Sequence, residues 1–151
     1  MSETPTAGVL AGREHRLPIR VYYEDTDFTG LVYHAGYARW FERGRSEFLR
    51  CAGVEHTALM AEDAAVVVTR LCIDYKRPAR IDDALVVITS YESFSGPRVV
   101  IRQRIERAKN GIWELLVSAE VDCAVITMDG RPRRPPASLA KALGPYLASA
   151  S

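Results

Sequence analysis

The chain has 151 residues, of which 48% are hydrophobic and 26% charged, and its formal net charge is +1. That length suits one domain and buries roughly 70% of the surface its unfolded form exposes, so the fold needs neither disulfides nor a metal. So small a charge argues against nucleic acid as the main partner, because phosphate neutralisation takes a clear basic excess.

Residues 1–14 are polar and contain Gly and Pro, and they read as a flexible leader. They lack the apolar core of a signal peptide, and no stretch approaches the roughly 20 apolar residues of a membrane span. The expected compartment is the cytoplasm, with no transmembrane segment. Residues 15–137 then form the single domain, and 138–151 a short helix or tail.

Residues 16–23 read as a first strand, with Ile19, Val21 and Tyr23 on one face. Pro18 favours an edge position or a strand start. Residues 24–30 are polar and turn-rich, and predict a loop. From about residue 36 to 52 the period becomes helical: Tyr37, Trp40, Phe41, Gly44 and Phe48 make one apolar stripe. Gly44 on that stripe gives up about 1 kcal/mol of helix propensity against Ala, which predicts close approach to something flat, such as a sheet. Gly53 ends the helix, and residues 55–61 add a short helical turn.

The rest predicts strands. Residues 64–76 alternate, with Val67, Thr69, Leu71, Ile73 and Tyr75 on one face. Residues 84–94 and 98–107 follow around the turn at Ser95, Gly96 and Pro97. Asn110-Gly111 signals a tight hairpin. Residues 113–126 alternate most clearly, with Leu115, Val117, Ala119, Val121, Cys123 and Val125 facing one way. Residues 131–136 are an Arg/Pro run unsuited to regular structure, and a terminal helix over 138–147 has Ser138 as its N-cap candidate. One long apolar helix against a five-stranded, mostly antiparallel sheet is an α+β arrangement. Several strands are apolar in both registers, notably at residues 66–68, 85–88 and 99–101, which predicts burial beyond the helix and hence a dimer. Cys51, Cys72 and Cys123 are widely spaced and fit neither a disulfide framework nor a metal site; they read as small buried hydrophobes.

The chemistry sits in residues 22–50. Glu24, Asp25, Asp27, two tyrosines and His34 occupy a loop that feeds a helix N-terminus. Unpaired amides and the positive dipole end can stabilise charge developing on a carbonyl oxygen. A nearby carboxylate can attack that carbonyl or activate water against it. By composition alone, such carboxylates also read as caps or solvated charges. Lys76, Arg77 and Arg80 form a compact basic knot beside Pro78, and Arg98, Arg102 and Arg104 recur further on; guanidinium groups suit phosphate.

The pattern Tyr-Tyr-Glu-Asp-Thr-Asp-x-x-Gly-x-Val-Tyr-His-x-x-Tyr over residues 22–37 resembles the signature of the 4-hydroxybenzoyl-CoA thioesterase-like hotdog family. It is most similar to the branch of bacterial acyl-CoA thioesterases associated with the Tol-Pal envelope system. Residues 41–47, 74–83, 102–105 and 131–134 extend the resemblance over roughly 16–137. It implies a hotdog fold, with a long central helix wrapped by the sheet, and hydrolysis of an acyl-CoA thioester without a metal or cofactor, CoA being part of the substrate. Asp27 matches the catalytic carboxylate, as nucleophile or general base, and the backbone N–H of His34 or its neighbour would polarise the carbonyl. Tyr23 and His34 match further active-site positions, with His34 orienting groups or transferring protons. Tyr37, Lys76, Arg77 and Arg80 would bind substrate and CoA, and the assembly would be a homodimer or a dimer of dimers. Gly36 stands where this branch commonly has Asn, which predicts a looser helix start. Glu42 and Glu47 are rival carboxylates, since another hotdog branch carries its acid on the central helix; ion pairing among the arginines explains them as well. The alternative function is a non-catalytic module that holds acyl-CoA or an acyl carrier protein.

Overall fold

The computed structural model describes residues 3–148. A hairpin opens it: β1 (Val9–Ala11) pairs with β2 (Glu14–Arg20). After a loop comes the long helix α1 (Gly36–Cys51), then the short α2 (His56–Ala61). Four long strands follow: β3 (Ala65–Tyr75), β4 (Ala84–Ser95), β5 (Arg98–Lys109) and β6 (Ile112–Ile126). A last helix, α3 (Ala137–Leu143), runs into a 3-10 turn over Gly144–Tyr146. The sheet is antiparallel throughout, in the order β1-β2-β4-β5-β6-β3.

The sheet therefore has six strands rather than five, because part of the expected flexible leader is structured. Val9–Ala11 is too short to show a period, yet it pairs across a turn at Gly12, whose φ of 62° suits glycine. His15, fully buried on β2, ties this segment down through a 2.6 Å bond between its Nε2 and the Ala7 carbonyl. A carbonyl only accepts, so Nε2 carries the proton, and burial pushes the imidazole pKa below its ordinary value. The first strand also ends at Arg20, short of the expected residue 23. Val21 instead exchanges backbone bonds with Asp82 and Asp83, which starts the loop early. Pro18 lies beyond the reach of β1, on an open edge, where its missing N–H costs nothing.

The stripe on α1 is buried as expected: Tyr37, Trp40, Phe41, Gly44, Phe48 and also Leu49. It packs on one face of the sheet, against β2 and β4 in particular. A Cβ on Gly44 would sit 2.7 Å from Thr89 Oγ1 and 2.8 Å from Val87 Cγ1. Beneath this crossing Gln103 is buried; its Nε2 donates to the Phe41 carbonyl and to Thr89 Oγ1, both at 2.8 Å, and Arg45 donates to its Oε1 at 3.0 Å. A buried amide with its partners met is tolerated in a core and fixes how the helix sits.

Three bulges displace the simple alternation, one of them in β4 between Tyr91 and Ser93. Between Val68 and Arg70 the register of β3 against β6 shifts at Thr69, so Val66 and Val68 share the inner face with Leu71, Ile73 and Tyr75 while Val67 does not. In β6, Val117 pairs Ile105 and Leu115 pairs Glu106, leaving Leu116 as the extra residue. Leu116 is fully buried where Leu115 was expected, and its carbonyl accepts the backbone N–H of Lys76 (2.8 Å) and of Arg77 (3.0 Å). The bulge thus fixes the chain just past β3. At the sheet's end β3 leaves one edge unpaired, and Val68, Leu71 and Tyr75 on this strand are exposed.

Local ends also differ in detail. The N-cap of α1 is Ala35, with no side-chain cap bond, and Gly36 is the first helical residue rather than the cap. Pro136 precedes α3, and the Ser138 hydroxyl donates to Glu62 at 2.6 Å instead of capping the helix. Of the cysteines only Cys123 is buried; Cys51 is half-buried and Cys72 exposed on the edge strand.

Candidate active site

The segment between β2 and α1 is held from both ends. A 3-10 turn over Tyr23–Asp25 is closed by Asp25 Oδ2, which accepts the Tyr22 N–H at 2.8 Å. A tight loop follows: Thr26 bridges Val32, the Asp27 N–H donates to the Leu31 carbonyl (3.0 Å), and the Gly30 N–H donates to the Asp27 carbonyl (3.1 Å). Gly30 has a φ of 79°, which makes this turn possible without strain. The loop is laced to the stretch after β3, since the Val32 N–H donates to the Ala79 carbonyl at 3.0 Å and Leu31 bridges Arg80.

The two walls enclose an open cleft of about 430 Å³. Asp27, Thr29, Leu31, Val32 and His34 line one side; Tyr75, Lys76, Arg77 and Pro78 line the other. Tyr37, from the first turn of α1, lies between them. Its buried hydroxyl accepts the Ala79 N–H at 3.0 Å, and its ring meets those of Trp40 and Tyr75 edge-on. Burial raises the Tyr37 phenol pKa, so it stays protonated. The Tyr75 hydroxyl donates to the His34 carbonyl at 2.9 Å, which pins the peptide at the mouth of the helix.

Asp27 Oδ1 accepts both the Thr29 hydroxyl (2.5 Å) and the Thr29 backbone N–H (2.8 Å). These bonds hold its carboxyl below the ordinary carboxylate range, with a smaller contribution from the nearby His34. The group is therefore ionised at neutral pH, at the edge of a cleft that also contains His34 and, from the first turn of α1, Tyr37. Such an arrangement can bring a carbonyl between a carboxylate and backbone amides.

Of the residues singled out in the sequence, Asp27, His34, Tyr37, Lys76 and Arg77 meet in this cleft. Tyr23 does not line it; it is 83% exposed on the preceding turn. Arg80 does not line it either, and contributes through its backbone, whose N–H donates to Asp83 Oδ2 at 2.9 Å. Arg77 is paired with Glu114 at 3.3 Å. Arg98, Arg102 and Arg104 lie along β5, paired with Asp122, with Glu120, and with Glu14 and Glu106 respectively. The rival carboxylates sit elsewhere: Glu42 accepts from Ser46 at 2.8 Å, and Glu47 pairs Arg50 at 3.1 Å. Sequence reasoning missed Thr29 and Tyr75 as cleft residues. Tyr75 carried a signal, since it directly precedes the basic knot, and so did Thr29, two residues after an aspartate in a turn-rich segment.

Comparison with known proteins bears on the family and the fold. The profile of the thioesterase-like superfamily matches residues 21–143. The acyl-CoA thioester hydrolase YbgC of Escherichia coli O6:H1 is 45% identical over 127 residues, covering 82% of this chain and 91% of that one. The acyl-CoA thioesterase YbgC of Haemophilus influenzae is 45% identical over 91 residues, covering 60% and 67%. Among solved structures, a probable thioesterase from Bartonella henselae superposes with a TM-score of 0.75 at 41% identity, covering 82% of this chain and 99% of that one. A 4-hydroxybenzoyl-CoA thioesterase variant, crystallised with 4-hydroxybenzoyl-CoA, superposes with a TM-score of 0.81 over 87% of this chain and 99% of its own; at 18% identity it shows the hotdog fold alone. By sequence and by fold, the chain belongs to the thioesterase-like superfamily.

Proposed function

We propose that this thioester hydrolase cleaves acyl-CoA to a free carboxylic acid and CoA, with Asp27 as the carboxylate that drives the reaction. The observation that carries the reading is Asp27 itself: an ionised side chain, fixed by Thr29, lining one cleft with His34 and the first turn of α1. The names of the E. coli and H. influenzae relatives support the substrate class.

In the general-base route Asp27 takes a proton from water, and the hydroxide so formed adds to the thioester carbonyl. Backbone N–H groups at residue 34 or its neighbour meet the developing oxyanion. The tetrahedral intermediate collapses with cleavage of the C–S bond, and the CoA thiolate leaves with the electron pair. A thiol of pKa about 8.5 is a good leaving group and needs little acid assistance. In the nucleophilic route a carboxylate oxygen adds instead, thiolate leaves, and water hydrolyses the resulting anhydride. His34, which lines the cleft beside Asp27, would orient water or return a proton. Lys76 and Arg77 on the opposite wall suit the phosphates of CoA.

A panel of short, long and aromatic acyl-CoAs, each monitored for free thiol, tests the function. At least one is expected to turn over, and the corresponding acyl-pantetheine, which lacks the nucleotide phosphates, to show a higher KM. Tight binding with no thiol release across the panel would leave a binding module in place of an enzyme.

The active form on this reading is a homodimer. The unpaired β3 edge exposes Val68, Leu71 and Tyr75, and the cleft opens beside it, with Tyr75 in its wall. Light scattering on the active protein measures this directly, and a monomeric mass would contradict it.

A further inference from the structure

Asp27 stands on an exposed loop, where an aspartate side chain ordinarily samples several rotamers. Here its backbone is pinned by Gly30 and Leu31, and its carboxylate by a single neighbour. The Thr29 hydroxyl and N–H both converge on Oδ1, and Oδ2 takes no part in either bond. Hydrogen bonds to an ionised acceptor are roughly twice as strong as neutral ones. Two of them on one oxygen select one orientation of the group.

We propose that Thr29 is a positioning residue of this site: it holds Oδ1 of Asp27 so that Oδ2 is the oxygen presented to water or to the thioester carbonyl. The proposal rests on the reading of Asp27 as the reacting carboxylate. Holding the reacting oxygen in place matters because small misalignments of a catalytic group are amplified in rate. The same two bonds favour the ionised form, and the hydroxyl is the largest single cause of the lowered Asp27 pKa. The other titratable groups facing the cleft are His34, Tyr37, Tyr75, Lys76 and Arg77. None of them is altered when only Thr29 is changed, so a moved acid limb reports on the hydroxyl.

The test is the pH dependence of kcat and kcat/KM for wild type, Thr29→Val, Thr29→Ser and Asp27→Asn, with butyryl-CoA and benzoyl-CoA as probes. Val keeps the branched shape and the backbone N–H and removes only the hydroxyl. Thr29→Val is expected to lower kcat roughly tenfold with little change in KM. A carboxylate that loses a hydrogen bond to its ionised form has a raised pKa, and activity that needs the ionised form disappears as pH falls through that pKa. The acid limb of Thr29→Val is therefore expected to lie at higher pH than that of wild type. Thr29→Ser restores both the rate and the limb. If Thr29→Val keeps the wild-type rate and limb while Asp27→Asn is inactive, the role of Thr29 is overturned and that of Asp27 stands. Failure of Ser to restore either quantity also overturns it, since the hydroxyl would then not be the acting group. Full turnover by Asp27→Asn would remove the carboxylate reading itself, and with it the role of Thr29.

Discussion

Replacing Asp27 by Asn is expected to lower kcat by roughly 10² or more, the usual scale of a general base or a covalent nucleophile. Asn keeps the size of the side chain, and its carbonyl oxygen can still accept from the Thr29 N–H and hydroxyl, which now reach Asp27 Oδ1 at 2.8 and 2.5 Å. The substitution removes only the charge and the ability to take a proton or attack. The other side chains lining the cleft, Tyr37, Tyr75, Lys76 and Arg77 among them, are untouched, so KM should change little. Asp27→Glu retains the charge but lengthens the arm and cannot keep the same bonds to Thr29. It is expected to be impaired by misplacement, since about 1 Å at a reacting group can cost about 10² in rate. Steady-state release of free thiol measures both variants.

The largest effect on stability is expected at Gly44. Alanine there would improve helix propensity by about 1 kcal/mol on an exposed helix. At this crossing its Cβ would lie 2.7 Å from Thr89 Oγ1, 2.8 Å from Val87 Cγ1 and 3.0 Å from Gln103 Nε2. Relief requires moving α1 away from the sheet or displacing Gln103 from its bonds to Phe41 and Thr89. Overpacking of this kind costs about 1–3 kcal/mol, so Gly44→Ala should be destabilising in spite of its propensity. Gly44→Val adds two methyl groups to the same contact and should lose more than about 3 kcal/mol. Urea unfolding followed by circular dichroism measures both. An Ala variant more stable than wild type would show that the helix is free to shift.

Much of this architecture is legible in the residues. The stripe from Tyr37 to Phe48 announces an amphipathic helix, and a glycine in the middle of it has meaning only if another surface comes close, which Thr89 and Val87 do. The motif from Tyr22 to Tyr37 brings Asp27, His34 and Tyr37 together, because a tight loop leads straight into the helix. What escapes a linear reading depends on long-range pairing. The Val9–Ala11 strand exists because β2 offers it an edge, and three residues carry no period of their own. Bulges at Thr69 and Leu116 exchange faces along β3 and β6, and alternation cannot show an inserted residue before the partner strand is known. The arginines of β5 look like a phosphate grip in the sequence, and the fold gives each a carboxylate neighbour on β2, β5 or β6 that spacing does not announce. The bond from Thr29 to Asp27 is by contrast local, two residues along the chain, a contact that the residue types permit but do not by themselves fix.

A single-turnover experiment bears most directly on the role of the carboxylate. With enzyme in excess over an acyl-CoA, rapid quenching follows the thioester bond itself, free of product release. Asp27→Asn should bind the acyl-CoA at wild-type concentrations and consume it at least roughly 100-fold more slowly. An unchanged single-turnover rate would place the chemistry on some other group.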